Sequence, residues 1–378
     1  MKKLIIFLFV IFIFIGCFWF FDYSKPHTNE GLILSRIMNS EGENYKHAVE
    51  QREFVFPQDH GAHPKFKTEW WYVTGNVANS EGYEFGYQVT FFRNALTPEQ
   101  TRSKSDWAGN QFYMAHAAVT DISNQEYYTD ERFSRSALGL AGVKINPKFS
   151  VWLDDWKMQS QNQSMFPLSI NVKSEKFSIK VNLVDTKAVV YQGDNGLSQK
   201  GPEVGNASYY YAYTRLKTQG EIRVNQTTFD VLGDSWMDRE WSTSMLSKGV
   251  EGWDWFSIQL NNNTELMFYR LRKKSGAASK YSKGSFILAD GKKIQLTNEQ
   301  VNLKIQQYWT SPNSDIEYPI KWKLTIPSLE INLFINAALA NQEFNASFRY
   351  WEGAIKVNGT YQKKQIRGKG YLELAGYQ

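Results

Sequence analysis

A single cysteine in 378 residues excludes a disulfide-stapled scaffold and any cysteine-rich metal site. Charge of one sign is equally scarce. The 43 Lys and Arg stand against 38 Asp and Glu, a net +5, and no dense basic stripe runs through the chain outside one loop. Nucleic acid is therefore not an expected partner. The sequence has no Gly-x-Ser-x-Gly, no P-loop and no Gly-x-Gly-x-x-Gly ahead of a helix, which removes serine-hydrolase, NTPase and dinucleotide readings. Beyond the N-terminus, no window of a dozen residues carries helical periodicity. What is abundant is rings. Aromatic residues make up 16% of the chain, within 42% hydrophobic and 21% charged residues, a composition that folds rather than stays disordered. Aromatic side chains favour strands and the walls of apolar pockets.

The first 21 residues read as a membrane-targeting segment. Lys2 and Lys3 precede an unbroken apolar run from Leu4 to Ile15, of signal-peptide length. Cys17 follows Gly16 where a bacterial lipobox places its lipidated residue, with Phe14 standing where an aliphatic residue is usual. Phe18 to Phe21 prolong the run to about the minimum for an uncleaved membrane anchor. A lipidated anchor, an uncleaved anchor and plain secretion all put the bulk of the chain outside the cytoplasm, in the cell envelope or secreted. Residues 22–50 are polar and poorly patterned, which suits a tether.

The remainder reads as all-β. Phe85, Tyr87, Val89 and Phe91 alternate with other residues at period two, as do Phe177, Ile179, Val181 and Leu183. Turn signals such as Asn79-Ser80-Glu81-Gly82 and Gly193-Asp194-Asn195-Gly196 punctuate such runs. Short strands at regular spacing point to barrels or sandwiches. An internal echo accompanies them: Trp70-Trp71-Tyr72-Val73 leads through a turn to an aromatic strand ending at Arg93, and Trp253-Asp254-Trp255-Phe256 leads through Asn261-Asn262-Asn263 to one ending at Arg270 and Arg272. Two copies of one barrel scaffold account for length and echo together, with domains expected over 51–228 and 229–378.

Chemistry concentrates in Gly233-Asp234-Ser235-Trp236-Met237-Asp238-Arg239-Glu240-Trp241. Extended, this segment puts Asp234, Trp236, Asp238 and Glu240 on one face, and Arg239 and Trp241 on the other. Carboxyls at strand spacing beside a Trp are costly to bury, and if they point inward, desolvation with like-charge repulsion would keep one of them protonated as a general acid. Asp254, between Trp253 and Trp255, is a further candidate acid, and His116, in an apolar strand, a candidate partner in acid–base work. The opposing reading pairs these acids with Arg93, Arg239, Arg270 or Arg272 as structural ion pairs. His60, His63 and Glu69 resemble a metal-ligand set, but their loop context makes hydrogen-bonded histidines the better reading, so no metal and no cofactor are expected.

Taken together, EWWYVTGN (69–76), FGYQVTFFR (85–93), MAHAAVTD (114–121), SYYYAYTRL (208–216), GDSWMDREW (233–241), GWDWFSIQL (252–260), YWEGAIKVNG (350–359) and GKGYLELAGY (368–377) resemble the AttH-like, lipocalin-like family. That family also contains carotenoid 1,2-hydratase, and the likeness is greatest to its secreted-hydrolase branch. The resemblance runs over roughly 55–378. It implies two tandem lipocalin-like antiparallel β-barrels, an envelope location, an apolar ligand of isoprenoid or lipid type, and an association with ABC-transporter components. The hydratase pattern Asp-His-Asn-Trp is replaced here by Asp238-Arg239-Glu240-Trp241, and a guanidinium cannot transfer protons at neutral pH.

The expected function is binding of a hydrophobic small molecule or lipid, with a carotenoid-hydratase-like or hydrolase activity as the alternative. Hydrating an alkene needs an acid that gives its proton to carbon, and ring faces that stabilise the cation. Asp238, Glu240, Asp254 and His116 are the candidate acid–base groups. Trp70, Trp71, Tyr72, Trp236, Trp241, Trp253 and Trp255 are the candidate ligand walls, with Arg93 and Arg239 beside them.

Overall fold

The computed structural model describes residues 32–33 (as backbone), 42, 44–98, 109–244 and 246–378. Cys17, the targeting segment and most of the 22–50 tether lie outside these residues. β1 (Leu32–Ile33) precedes a first block of strands: β2 (Thr68–Ala78), β3 (Glu84–Ala95), β4 (Gln111–Asp121), β5 (Glu126–Arg135), β6 (Ala141–Lys144) and β7 (Ser150–Leu153). The block continues with β8 (Trp156–Ser160), β9 (Leu168–Lys173), β10 (Phe177–Asp185), β11 (Val190–Tyr191), β12 (Leu197–Gln199), β13 (Ala207–Val224) and β14 (Thr227–Ser242). A second block holds β15 (Val250–Leu260), β16 (Glu265–Lys273), β17 (Lys283–Ile287), β18 (Lys293–Thr297) and β19 (Asn302–Thr310). It ends with β20 (Glu317–Ile326), β21 (Ile331–Ala337), β22 (Glu343–Asn345), β23 (Phe348–Tyr361) and β24 (Lys364–Ala375). The chain is all-β. Among the described residues, helix is confined to short 3-10 turns.

The first sheet has 13 strands, ordered β5-β4-β3-β2-β14-β13-β10-β9-β8-β7-β6 with β11 and β12 added on β13, and curls into a nearly closed barrel. The second has 11, ordered β18-β17-β16-β15-β24-β23-β21-β20-β19 with β1 and β22 added on β23, and forms a half-barrel. β14 pairs with both β13 and β2, so the first sheet ends at Ser242 and, apart from β1, the second begins at Val250. The change of sheet thus falls a strand later than the 228/229 boundary expected from the sequence. The reason is local: Val224 pairs with Thr227 across the tight turn Asn225-Gln226, where Asn225 takes φ 52°. That turn closes a hairpin rather than linking domains.

The two sheets share one strand plan. β2, β3, β4 and β5 occupy in the first sheet the places of β15, β16, β17 and β18 in the second, and β14 and β13 those of β24 and β23. Register carries the match to single residues. Tyr72 lies between Thr90 and Asp238, and Trp255 between Tyr269 and Glu373. Trp70 faces Phe92 as Trp253 faces Leu271. The aromatic echo is the visible remnant of this correspondence.

Period-two alternation sends Trp71, Val73, Tyr87, Val89, Phe91, Met237 and Trp241 into the core of the first barrel. Phe256, Ile258, Leu372 and Leu374 fill the hollow of the second sheet. The alternate residues of the same strands, which an isolated barrel would expose, are buried as well because the two sheets pack outer face to outer face. Tyr72, Phe92, Tyr210, Trp236, Trp255, Tyr269, Tyr350 and Tyr371 form this third cluster. Polar contacts tie its edges: Gln259 Nε2 donates to the carbonyls of Thr214 (2.8 Å) and Ser235 (2.9 Å). A register shift between Tyr213 and Leu216 throws Arg215 across to Glu265 (2.7 Å), which Lys187 also meets at 2.8 Å.

Candidate active site

Between the sheets lies a cavity of about 70 Å³. Its walls are the rings of Trp70, Tyr72, Phe92, Tyr210, Trp253, Trp255, Tyr269 and Tyr350, with Leu246 and Leu271. Into these walls are set four carboxyls and one amine: Asp238, Glu240, Glu352, Glu373 and Lys200. A pocket that is mostly apolar with a few convergent polar groups is the usual form of a small-molecule site.

Each carboxyl has its own electrostatic setting. Asp238 accepts hydrogen bonds from the Tyr210 hydroxyl at Oδ2 and from Trp236 Nε1 at Oδ1, both at 2.6 Å. Burial dominates nonetheless and, with the neighbouring Glu240 charge, pushes Asp238 up to about 8 against those bonds and Lys200. Glu240 is paired with Lys200 Nζ at 2.5 Å and accepts from Ser208 Oγ. Glu352 and Glu373 are cross-strand partners on adjacent strands. Burial raises Glu352 well above the usual carboxylate range, and the charge of Glu373 raises it further, against hydrogen bonds from Tyr72 (2.5 Å) and Tyr350. Burial lifts Glu373 to about 7 despite a hydrogen bond from Trp253. Two buried carboxyls so placed cannot both ionise, and they titrate as a pair.

Of the residues singled out from the sequence, Asp238, Glu240, Trp70, Tyr72, Trp253 and Trp255 line this cavity, and Trp236 stands behind Asp238. His116 is one step removed: its Nδ1 lies 2.8 Å from the hydroxyl of Tyr350, and burial holds it near 3, hence neutral. Four others point the opposite way. Trp71, Trp241, Arg93 and Arg239 sit inside the first barrel, because they occupy the odd positions of strands whose even positions face the cavity. There Arg93 and Arg239 both pair with the fully buried Glu69, and the Arg239 guanidinium lies 3.9 Å from the centre of the Trp71 ring. Burial pulls Glu69 upward, but the two guanidiniums hold it well below the ordinary range. His63 extends this network to Asp59 at 3.0 Å, while His60 Nδ1 meets the Tyr211 hydroxyl at 2.7 Å. Among the described residues no three His, Cys, Asp or Glu side chains group to hold a metal ion.

Asp254 likewise faces away from the cavity, into the second sheet, where it meets Arg270 (2.6 Å), Arg272 (3.7 Å) and the Tyr377 hydroxyl (2.8 Å). Sequence reasoning passed over Tyr210, Tyr350, Lys200, Glu352 and Glu373. The signal for the glutamates was a lone carboxyl in an apolar strand, Glu352 between Trp351 and Gly353, and Glu373 between Leu372 and Leu374.

Fold and cavity together define an all-β protein of two back-to-back curved sheets with a buried acid cluster between them. The chain belongs to the AttH-like family, whose pattern matches residues 47–377. A solved structure described as an AttH protein of Nitrosomonas europaea is 30% identical, with a TM-score of 0.77 over 88% of this chain and 100% of that one. The structure of kievitone hydratase from Nectria haematococca is 14% identical with a TM-score of 0.68, over 89% of this chain and 97% of that one, a likeness of fold. In sequence, kievitone hydratase of Fusarium solani subsp. phaseoli is 23% identical over 210 residues, 53% of this chain and 57% of the relative, so the match spans little more than half of that enzyme.

Proposed function

We propose that the cavity is the active site of a hydro-lyase that adds water across a carbon–carbon double bond of an apolar, isoprenoid-like substrate. The observation that carries this reading is the Asp238 carboxyl, kept protonated to about 8 inside an aromatic cavity. Such a group can give a proton to an alkene carbon at neutral pH. The cation so formed would lie against the faces of Trp70, Trp253 and Trp255. Water then attacks the cation and passes its surplus proton to the Glu352–Glu373 pair, which carries part of a negative charge near pH 7. Alkene and water become alcohol, and the cycle closes when the pair releases that proton and Asp238 regains one from solvent.

Simple carriage of a lipid fits the apolar walls but leaves the acids without a purpose, and a carrier gains nothing from burying several carboxyls. The kinship with kievitone hydratase supports the catalytic reading. Arg239, where the hydratase pattern has His, points into the first barrel, whereas Glu240, where the pattern has Asn, stands in the cavity and helps to raise Asp238. The N-terminal segment, as a lipid or signal anchor, would hold the site beside a membrane where apolar substrates concentrate.

The test is incubation with prenylated phenols and farnesol in heavy-oxygen water, followed by mass spectrometry. Products carrying one labelled water are expected. Intact substrates, with native lipid co-purifying in stoichiometric amount, would favour carriage instead. The rate should follow a bell in pH. It rises near 7 as the glutamate pair ionises and falls near 8 as Asp238 loses its proton.

A further inference from the structure

Two buried polar atoms, His116 Nε2 and Glu131 Oε2, face one another with no hydrogen-bond partner among the described residues. They are 4.0 Å apart, on residues that β4 and β5 place directly opposite. Buried polar atoms are seldom left unpaired, and here each is the complement of the other. The second ring nitrogen of His116 reaches Tyr350 of the other sheet at 2.8 Å, and the Tyr350 hydroxyl in turn bonds Glu352 in the cavity. At the outer end the Glu131 side chain is 17% exposed, and its Oε1 accepts from the Ser347 amide at 2.8 Å, which fixes its direction.

We infer that Glu352, Tyr350, His116 and Glu131 form a proton conduit joining the cavity to the surface; its use in turnover rests on the hydratase reading above. A proton taken up by the glutamate pair leaves as Glu352 O–H gives to the Tyr350 oxygen and Tyr350 O–H gives to His116 Nδ1. His116 Nε2–H then gives to the Glu131 carboxylate, which releases the proton to water. The Tyr350 oxygen gains one proton and loses one, and His116 takes up at Nδ1 what it gives from Nε2, so the ring stays neutral, as its burial requires. The starting tautomer returns when a proton passes inward along the same path, so the conduit exchanges the Glu352 proton with solvent. The gap of 4.0 Å closes by a small side-chain rotation of Glu131, or with one water. The conduit matters most when an oily substrate fills the cavity, because that guest shuts out the water through which Glu352 would otherwise exchange.

The experiment is run with the cavity filled by hexahydrofarnesol, a saturated alcohol that cannot be hydrated, so that cavity water does not exchange Glu352. Infrared spectroscopy with rapid mixing into deuterated water follows the protonated-carboxyl band of Glu352, assigned by its loss in Glu352→Gln. In Glu131→Gln and in Tyr350→Phe, each folded as the parent by circular dichroism, deuterium uptake should slow by about tenfold or more. A purely packing role for His116 would leave that rate unchanged, and an unchanged rate in both variants overturns the conduit, as does an ionised Glu352 with no band. Slowed exchange in a protein that hydrates no alkene would keep the conduit and remove the hydratase reading instead.

Discussion

Replacing Asp238 by Asn is expected to abolish hydration while making the protein more stable in alkaline solution. Loss of a positioned general acid costs about 10²–10⁴ in rate, and the isosteric amide has no acidic proton to give to carbon. The stability gain follows from linkage. Asp238 titrates at about 8 in the folded chain, against about 3.9 unfolded. Its folded pKa is raised, so its favourable contribution is fully present below about pH 4 and disappears as pH climbs through about 8. Above that, the native state holds a buried carboxylate that the Asn variant does not. A shift of roughly four pKa units sets a ceiling of about 5 kcal/mol on the difference. Urea denaturation of both proteins at pH 5 and pH 9 measures it. The advantage of the variant should grow by several kcal/mol between the two, whereas a pH-independent gap would mean that Asp238 is ionised throughout.

Glu69→Ala should have the opposite character, with a large loss of stability and no change at the cavity acids themselves. Glu69 is the shared partner of Arg93 and Arg239, and all three are wholly buried in the first barrel. Removing it leaves two guanidinium charges facing each other in a desolvated core, a change that costs about 3–5 kcal/mol for a buried pair. The unfolding midpoint in urea should fall accordingly. Glu69→Gln, which keeps hydrogen-bond acceptance but not the charge, should recover only part of the loss. A change below about 1 kcal/mol, the size typical of surface ion pairs, would show that the network is solvated after all.

Much of the architecture was legible in the chain. Alternation in Phe85–Phe91 and Phe177–Leu183 gives true strands with those residues inside the first barrel. The same alternation in 233–241 already separates Asp238 and Glu240 from Arg239 and Trp241. What alternation cannot say is which face meets a second sheet. β2, β3 and the Ser235–Ser242 half of β14 are buried on both sides, so neither polarity nor aromatic content marks the cavity face. Asp254 and Trp71 belong to aromatic segments as rich as those of Trp255 and Trp70, yet their parity in the strand turns them away. Glu352 and Glu373 join Asp238 from more than a hundred residues downstream, through the packing of two sheets, and no local pattern reports such a meeting. The boundary near 228 fell on a hairpin turn because turn chemistry looks the same inside a domain as between domains.

The account stands on one buried proton. Nuclear magnetic resonance of protein carrying carbon-labelled aspartate, with the Asp238 carboxyl signal assigned by its absence in Asp238→Asn, reads that proton directly across pH 5 to 10. The carboxyl is expected to stay protonated at pH 7 and to titrate near 8. A signal already ionised at pH 6 would contradict the general-acid role and the hydratase reading built on it.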